Sequence, residues 1–148
     1  MICRDLASDF DRIASLNVKA IVCCLDDNEL MTIGADWRFY SAEASKRRID
    51  IIRMPLVEGS APSNFTEMDI VLDFVNSKIH DGSNILCHCR GGIGRAALVV
   101  CCFLIRKGYC SSAEQAVQFV RTRRSIKAIE TDLQEAFISS YFYYHSEK

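Results

Sequence analysis

Apolar positions recur along the chain in two rhythms that alternate from one end to the other. Leu6 to Leu16 is spaced as an amphipathic helix, and Val18 to Leu25 is an apolar run of strand length. Helical stretches follow around Asn28 to Lys46, and Ile49 to Met54 reads as the next strand. Phe65 to His80 is amphipathic, with Phe65, Met68, Ile70, Val71, Phe74, Val75 and Ile79 as its expected buried side. A bend at Asp81-Gly82 leads into a strand over Ser83 to His88. Ala96 to Ile105 is an unbroken apolar run, too short to cross a bilayer and suited to a buried helix. Gly108 ends it, Ser111 with Glu114 predicts a capping box for a helix over Ser112 to Arg124, and a last helix covers about Thr131 to Tyr144. This alternation predicts an α/β fold: a central, mostly parallel sheet of about four strands wrapped by helices, with any site at the C-terminal edge of the strands.

Composition narrows the picture. At 148 residues and 49% hydrophobic, the chain suffices for one full core, so residues 1–148 are expected to form a single domain. A net charge of −1 gives no overall electrostatic drive toward nucleic acid or an anionic membrane. No signal-peptide or spanning pattern is read. The eight cysteines include the adjacent pairs Cys23-Cys24 and Cys101-Cys102 in apolar runs, which reads as buried thiols in a reducing compartment, cytoplasmic or nuclear.

The chemistry concentrates in His88-Cys89-Arg90-Gly91-Gly92-Ile93-Gly94-Arg95-Ala96. A strand, a glycine-rich turn and a buried helix put a helix N-terminus beneath the turn, with N–H groups aimed into it. Such an N-terminus and a nearby cation lower a thiol's pKa to roughly 3.5–7.5, which would make Cys89 a thiolate. Gly92 and Gly94 permit backbone angles that let N–H groups close on a phosphate. Arg95 offers a planar fork that holds two phosphoryl oxygens, and His88 is expected to orient the loop by hydrogen bonding. A turn of this kind suits phosphoryl transfer, which depends largely on positioning and charge stabilisation. Cys87, His88 and Cys89 lack a second pair at zinc-like spacing, so no metal is expected.

The segment resembles the signature of the cysteine-dependent protein tyrosine phosphatase superfamily. The likeness covers nearly the whole chain. Ala20 to Leu30 is similar to a core strand entering its helix, Pro55 to Pro62 to the loop carrying the general acid, and Ala128 to Gln134 to the segment that places the hydrolytic water. The chain resembles most the small dual-specificity branch, and within it the cyclin-dependent-kinase-associated phosphatase group. The resemblance implies a dual-specificity phosphatase-like fold and hydrolysis of phosphoproteins, at phosphotyrosine and/or phosphoserine/threonine, without cofactor. Cys89 would be the nucleophile, forming a cysteinyl-phosphate, Arg95 would bind the equatorial oxygens, and Glu58 would be the acid. Arg90, Gly91, Gly92, Ile93 and Gly94 would cradle the phosphate, with His88, Ala96, Glu130 and Gln134 in support.

Three positions depart from the family pattern. Glu58 stands where aspartate is usual, Ala96 where serine or threonine helps the thiolate leave, and Glu130 where glutamine is frequent. They imply slow hydrolysis of the intermediate, or alternatively a phosphoprotein-binding module with little turnover. Asp26, Asp27, Asp50 and Asp69 are rival acids; Asp50 and Asp69 read as solvated or capping residues, and Glu58 is favoured because Pro55 and Pro62 bracket it in a loop. Lys46-Arg47-Arg48 reads as a solvated helix end. Arg121, Arg123, Arg124 and Lys127 read either as cations complementing a helix dipole or as a site for acidic groups or a second phosphate on the substrate. Cys23 or Cys24 stands at the end of a neighbouring strand, either as a core residue or as a thiol that traps oxidised Cys89.

Overall fold

The computed structural model describes residues 5–79 and 82–148. The predicted helix end at His80 and the Asp81 half of the bend lie outside them. The elements are α1 (Leu6–Ser15), β1 (Val18–Cys23), α2 (Asp27–Thr32), α3 (Trp37–Lys46), β2 (Asp50–Arg53), α4 (Phe65–Lys78), β3 (Asn84–His88), α5 (Arg95–Arg106), α6 (Ala113–Arg123) and α7 (Asp132–Ser146).

Among the described residues the sheet has three strands in the order β2-β1-β3, all parallel, so the expectation of about four is corrected. Ala20 to Cys23 of β1 are fully buried because helices cover both faces of the central strand. Helices α1 and α3 pack together against β1 and β2, while α4 and α5 pack against the sheet and α6 and α7 lie behind α5. Helix α5 is buried almost all round, as an uninterrupted apolar run requires, with Leu98, Cys101 and Cys102 at 0% exposure.

Local chemistry explains most boundaries and several departures. The helical stretch after β1 divides at Gly34, whose φ of +78° stops α2, and Asp36 restarts the chain by accepting the Arg38 N–H at 2.8 Å. Gly108, at φ +75°, follows the end of α5 as expected. The capping box of α6 sits one residue later than predicted. Ser112 Oγ accepts the Gln115 N–H at 3.0 Å, and Gln115 Oε1 accepts from Ser111 N–H at 2.6 Å. In α4, Met68, Val71 and Val75 are buried as predicted, but Ile70 is exposed and Leu72 takes its place inside. Arg47 is a clamp rather than a solvated helix end: it bridges Asp11 of α1 at 2.7 Å and Glu43 of α3 at 2.7 Å.

Candidate active site

Parallel β3 delivers His88 and Cys89 to the C-terminal edge of the sheet, and the chain turns through residues 90–94 into α5. Gly94, the N-cap of α5, supplies no side-chain cap, so the first-turn N–H groups stay available to other acceptors. Cys89 Sγ takes two backbone donors, the Gly92 N–H at 3.2 Å and the Ala96 N–H at 3.4 Å. The sulfur thus lies inside the turn, against the N-terminus of the helix. Gly92 has a φ of +74°, and a Cβ there would meet the Arg124 guanidinium at 2.9 Å. A Cβ on Gly94 would collide with the Glu130 carboxylate and crowd Gln134, so both glycines allow a neighbouring segment to lie on the turn.

Arg95 is 2% exposed. Glu29 grips it with both oxygens, Nη1 to Oε1 at 2.7 Å and Nη2 to Oε2 at 2.9 Å, and Nη1 also donates to the Leu56 carbonyl at 2.7 Å. A guanidinium has five N–H groups; these bonds use three and leave the Nε–H and one Nη2–H on a single edge. The hydrogen bond from Arg95 holds the Glu29 carboxyl below its ordinary range against the opposing effect of burial, and Glu29 in turn raises Arg95. Sequence reasoning missed Glu29. Its only signal was a carboxylate at the start of the helix after β1.

His88, expected to orient the loop by hydrogen bonding, is itself held by a side chain not foreseen: the Tyr40 hydroxyl meets His88 Nε2 at 2.6 Å. The strand alternation turns His88 to the face opposite Cys87. Of the two candidate partner thiols, Cys23 hydrogen-bonds Tyr40. Cys24 continues the parallel ladder by donating its N–H to the His88 carbonyl at 3.0 Å, and its thiol hydrogen-bonds Cys87. That bond and desolvation of the half-buried sulfur push the Cys87 thiol well up.

Glu58 is exposed at the tip of a turn in which Ser60 N–H returns to the Val57 carbonyl at 2.9 Å, with Gly59 at φ +82°. The turn is tied to Arg95 through the Leu56 carbonyl and to the start of α7 at its other end. Thr131 Oγ1 donates to the Gly59 carbonyl at 2.7 Å, and Gln134 Nε2 to the Ser60 carbonyl at 3.3 Å. Gln134 is fully buried, and its Oε1 accepts the Glu130 N–H at 2.9 Å. Glu130 is exposed, with its carboxylate over Gly94. Ile129 donates its N–H to the Ile93 carbonyl at 2.7 Å and holds a φ of +63°, costly for a β-branched residue. The structure thus lays Glu130 and Gln134 against Gly94 of the turn, with Arg90 and Gly91 exposed on its rim, while the exposed Glu58 is linked to the turn through the neighbouring Leu56 carbonyl on Arg95.

The rival acids have other tasks. Asp26 caps α2 by accepting the Glu29 N–H at 2.8 Å, Asp27 pairs with Arg53 at 2.7 Å, and Asp50 pairs with Lys78 at 2.5 Å. Asp69 is neither solvated nor capping: it accepts from both Tyr141 and Tyr144 at 2.7 Å, remote in sequence. The basic cluster divides as well. Arg121 holds the Ala128 carbonyl at 2.8 Å and Glu135 at 3.0 Å, Arg123 lies over the Phe119 ring, and Arg124 donates to the Gly91 carbonyl at 3.3 Å.

Residues 7–139 match the family model described as dual specificity phosphatase, catalytic domain. Cyclin-dependent kinase inhibitor 3 of Homo sapiens is 31% identical over 91 residues, covering 62% of this chain and 40% of that protein. The AMV078 protein of Amsacta moorei entomopoxvirus, whose name assigns it to the tyrosine-protein phosphatases, is 30% identical over 125 residues, 79% of this chain and 73% of that one. The chain spans only 27% of the length of the R622 relative from Acanthamoeba polyphaga mimivirus, at 37% identity over 59 residues, or 40% of this chain. Among solved structures, kinase associated phosphatase with its catalytic cysteine replaced by serine superposes with a TM-score of 0.86 at 21% identity, over 99% of this chain and 81% of that one. Tk-PTP in its active form gives 0.80 at 24% identity, over 96% and 88%. These two share the fold. With its family model covering nearly all of the chain, this protein belongs to the dual-specificity phosphatase catalytic-domain family.

Proposed function

We propose that residues 1–148 act as one catalytic domain that hydrolyses phosphoproteins, at phosphotyrosine and/or phosphoserine/threonine, through a cysteinyl-phosphate. The observation that carries this reading is the sulfur of Cys89, held by the Gly92 and Ala96 N–H groups at the uncapped start of α5. Cys89 attacks phosphorus while the remaining N–H groups of the turn, from Arg90 to Gly94, receive the phosphoryl oxygens. The unused Nε–H and Nη2–H edge of Arg95 takes two of them, because Glu29 and Leu56 fix the rest of the guanidinium. Glu58 protonates the leaving oxygen, then accepts a proton from the water that hydrolyses the intermediate. Glu130 and the spare N–H of Gln134 flank that water. No metal or cofactor takes part in these steps. A cytoplasmic or nuclear setting agrees with the described cysteines, all of them free thiols. None of the described helices is long and apolar enough to cross a membrane.

Turnover should be slow, since Ala96 offers no hydroxyl to the departing thiolate and the longer Glu58 shifts its carboxyl, a kind of misplacement that is costly. Hydrolysis of a small aryl phosphate, abolished by Cys89→Ser and weakened by Glu58→Gln with loss of the basic limb of the pH profile, is the expected result. Phosphate release that survives Cys89→Ser, or none from the parent chain, would refute it. The second outcome, with phosphopeptide binding intact, leaves the binding-module alternative.

A further inference from the structure

Beside the turn lies an apolar cleft of about 310 Å³ that the proposed chemistry does not use. Its place follows from the topology. Helix α1 runs down to the start of β1, so its first turn stands at the C-terminal edge of the sheet, level with the end of β3. The connection after α2, which also leaves that edge, brings in Ile33 and Ala35. Leu6, Phe10, Ile13, Ile33 and Leu86 form apolar walls, and Tyr40 and His88, joined at 2.6 Å, form part of the lining. Cys89 and Arg90 belong to both the cleft and the phosphate turn.

The geometry points to a specificity pocket for a bulky apolar side chain next to the phosphoresidue of the substrate protein. This rests on the phosphatase reading and extends it to the substrate's sequence. A phosphate seated in the turn leaves the adjoining residue of an extended peptide next to the shared wall at Cys89 and Arg90. The volume is at the lower end for ligand sites, which suits one side chain better than a larger molecule. The lining carries one charge of each sign, Asp9 and Arg90, which matches the polar backbone of a peptide. An anionic bilayer would be attracted by Arg90 but repelled by Asp9 and by the exposed Glu58 and Glu130. Burying a leucine or phenylalanine there should raise affinity about tenfold or more.

The test uses the full chain carrying Cys89→Ser, so that binding is read without turnover. Fluorescent phosphotyrosine and phosphothreonine peptides are compared with leucine or phenylalanine at both flanks, or serine and aspartate in their place. Anisotropy should give at least a tenfold preference for the apolar flanks. Ile33→Glu, at a half-buried wall position, should bring the ratio close to one, and Ile33→Leu should keep it. Equal affinities in the Cys89→Ser chain overturn the inference whatever the variants do. If the parent chain still hydrolyses an aryl phosphate, the phosphatase reading survives that result. A preserved ratio in a chain that hydrolyses nothing supports the cleft and removes the turnover. Preferential capture of phosphatidylcholine vesicles carrying phosphatidic acid, over every peptide, would assign the cleft to a lipid tail and overturn the inference.

Discussion

Arg95 and Glu29 meet through both carboxylate oxygens at 2.7 and 2.9 Å, joining the start of α5 to the helix that follows β1. Arg95 is 2% exposed and Glu29 18%, so removing the carboxylate strands a buried cation. Breaking such a pair costs about 3–5 kcal/mol. Glu29→Gln should lose somewhat less, because the amide oxygen still accepts one N–H, and should lower kcat/KM by tenfold or more as the guanidinium loses its alignment. Urea unfolding and aryl phosphate kinetics on one preparation check both effects. A Glu29→Gln protein with unaltered stability and kcat/KM would show that the pair orients nothing.

Thr131 performs two tasks with one hydroxyl. It accepts the Gln134 N–H at 3.2 Å as the N-cap of α7, and it donates to the Gly59 carbonyl at 2.7 Å beside Glu58. Thr131→Val should cost about 1 kcal/mol through the lost cap. Thr131→Ser keeps both bonds and should restore what valine removes. If the proposed role of Glu58 depends on this tether, valine will reduce kcat more than it changes KM, and serine will rescue it. Equal kcat in all three chains would sink the tether.

The strand, turn and helix around Cys89 were legible because each rests on local chemistry: an apolar run, glycines that open backbone angles, and an arginine at fixed spacing. The flanking pairs were not. Glu29 lies 66 residues from Arg95 and Tyr40 lies 48 from His88, so their contacts exist only once β1 and β3 pair in register. Ile129 was illegible for another reason. A β-branched residue at φ +63° goes against its own conformational preference and is held by the Ile93 carbonyl and by burial to 4%. The expected fourth strand had no such local signature, and Ile70 was misassigned because Leu72 suits the inner face of α4 equally well in sequence.

Ala96 contributes its N–H to Cys89 Sγ but no hydroxyl. If the second step is limiting for that reason, rapid mixing with labelled substrate should trap phosphocysteine in the parent chain. Ala96→Ser should then raise kcat several-fold and deplete the trapped species. Ala96 is 3% exposed, so the added oxygen must fit a tight site, and a thermal unfolding check should accompany the kinetics. Unchanged turnover in a folded Ala96→Ser protein, with no phosphocysteine in either chain, would remove the slow second step.

Alkylation separates Cys89 from the other sulfurs. Burial pushes Cys101 up to about 12 and Cys102 well above its usual value, and the bond to Cys24 together with burial does the same to Cys87. These thiols are protonated at neutral pH and react slowly. Brief iodoacetamide treatment at pH 7 followed by peptide mass mapping should modify Cys89 first and leave Cys87, Cys101 and Cys102 intact. Labelling of Cys101 or Cys102 at the same rate as Cys89 would contradict the packing of α5.

Asp69 contributes to the fold's sensitivity to acid. Burial alone would raise this carboxyl, but hydrogen bonds from Lys148, Tyr141 and Tyr144 outweigh it and hold the group at about 2. Its value in the unfolded chain is near 3.8, so the folded form releases the proton more readily. The stabilisation is therefore complete above about pH 4 and disappears as the pH falls toward 2. With the carboxylate 17% exposed, the difference amounts to about 2 kcal/mol, at one pKa unit for each ~1.4 kcal/mol. Asp69→Asn should lose that much at pH 7, where Arg106 and Lys148 no longer face a charge. Its stability should also change less than the parent's between pH 4 and 2. Urea midpoints measured across that range test the claim, and parallel curves for the two chains would mean that Asp69 is not the titrating group.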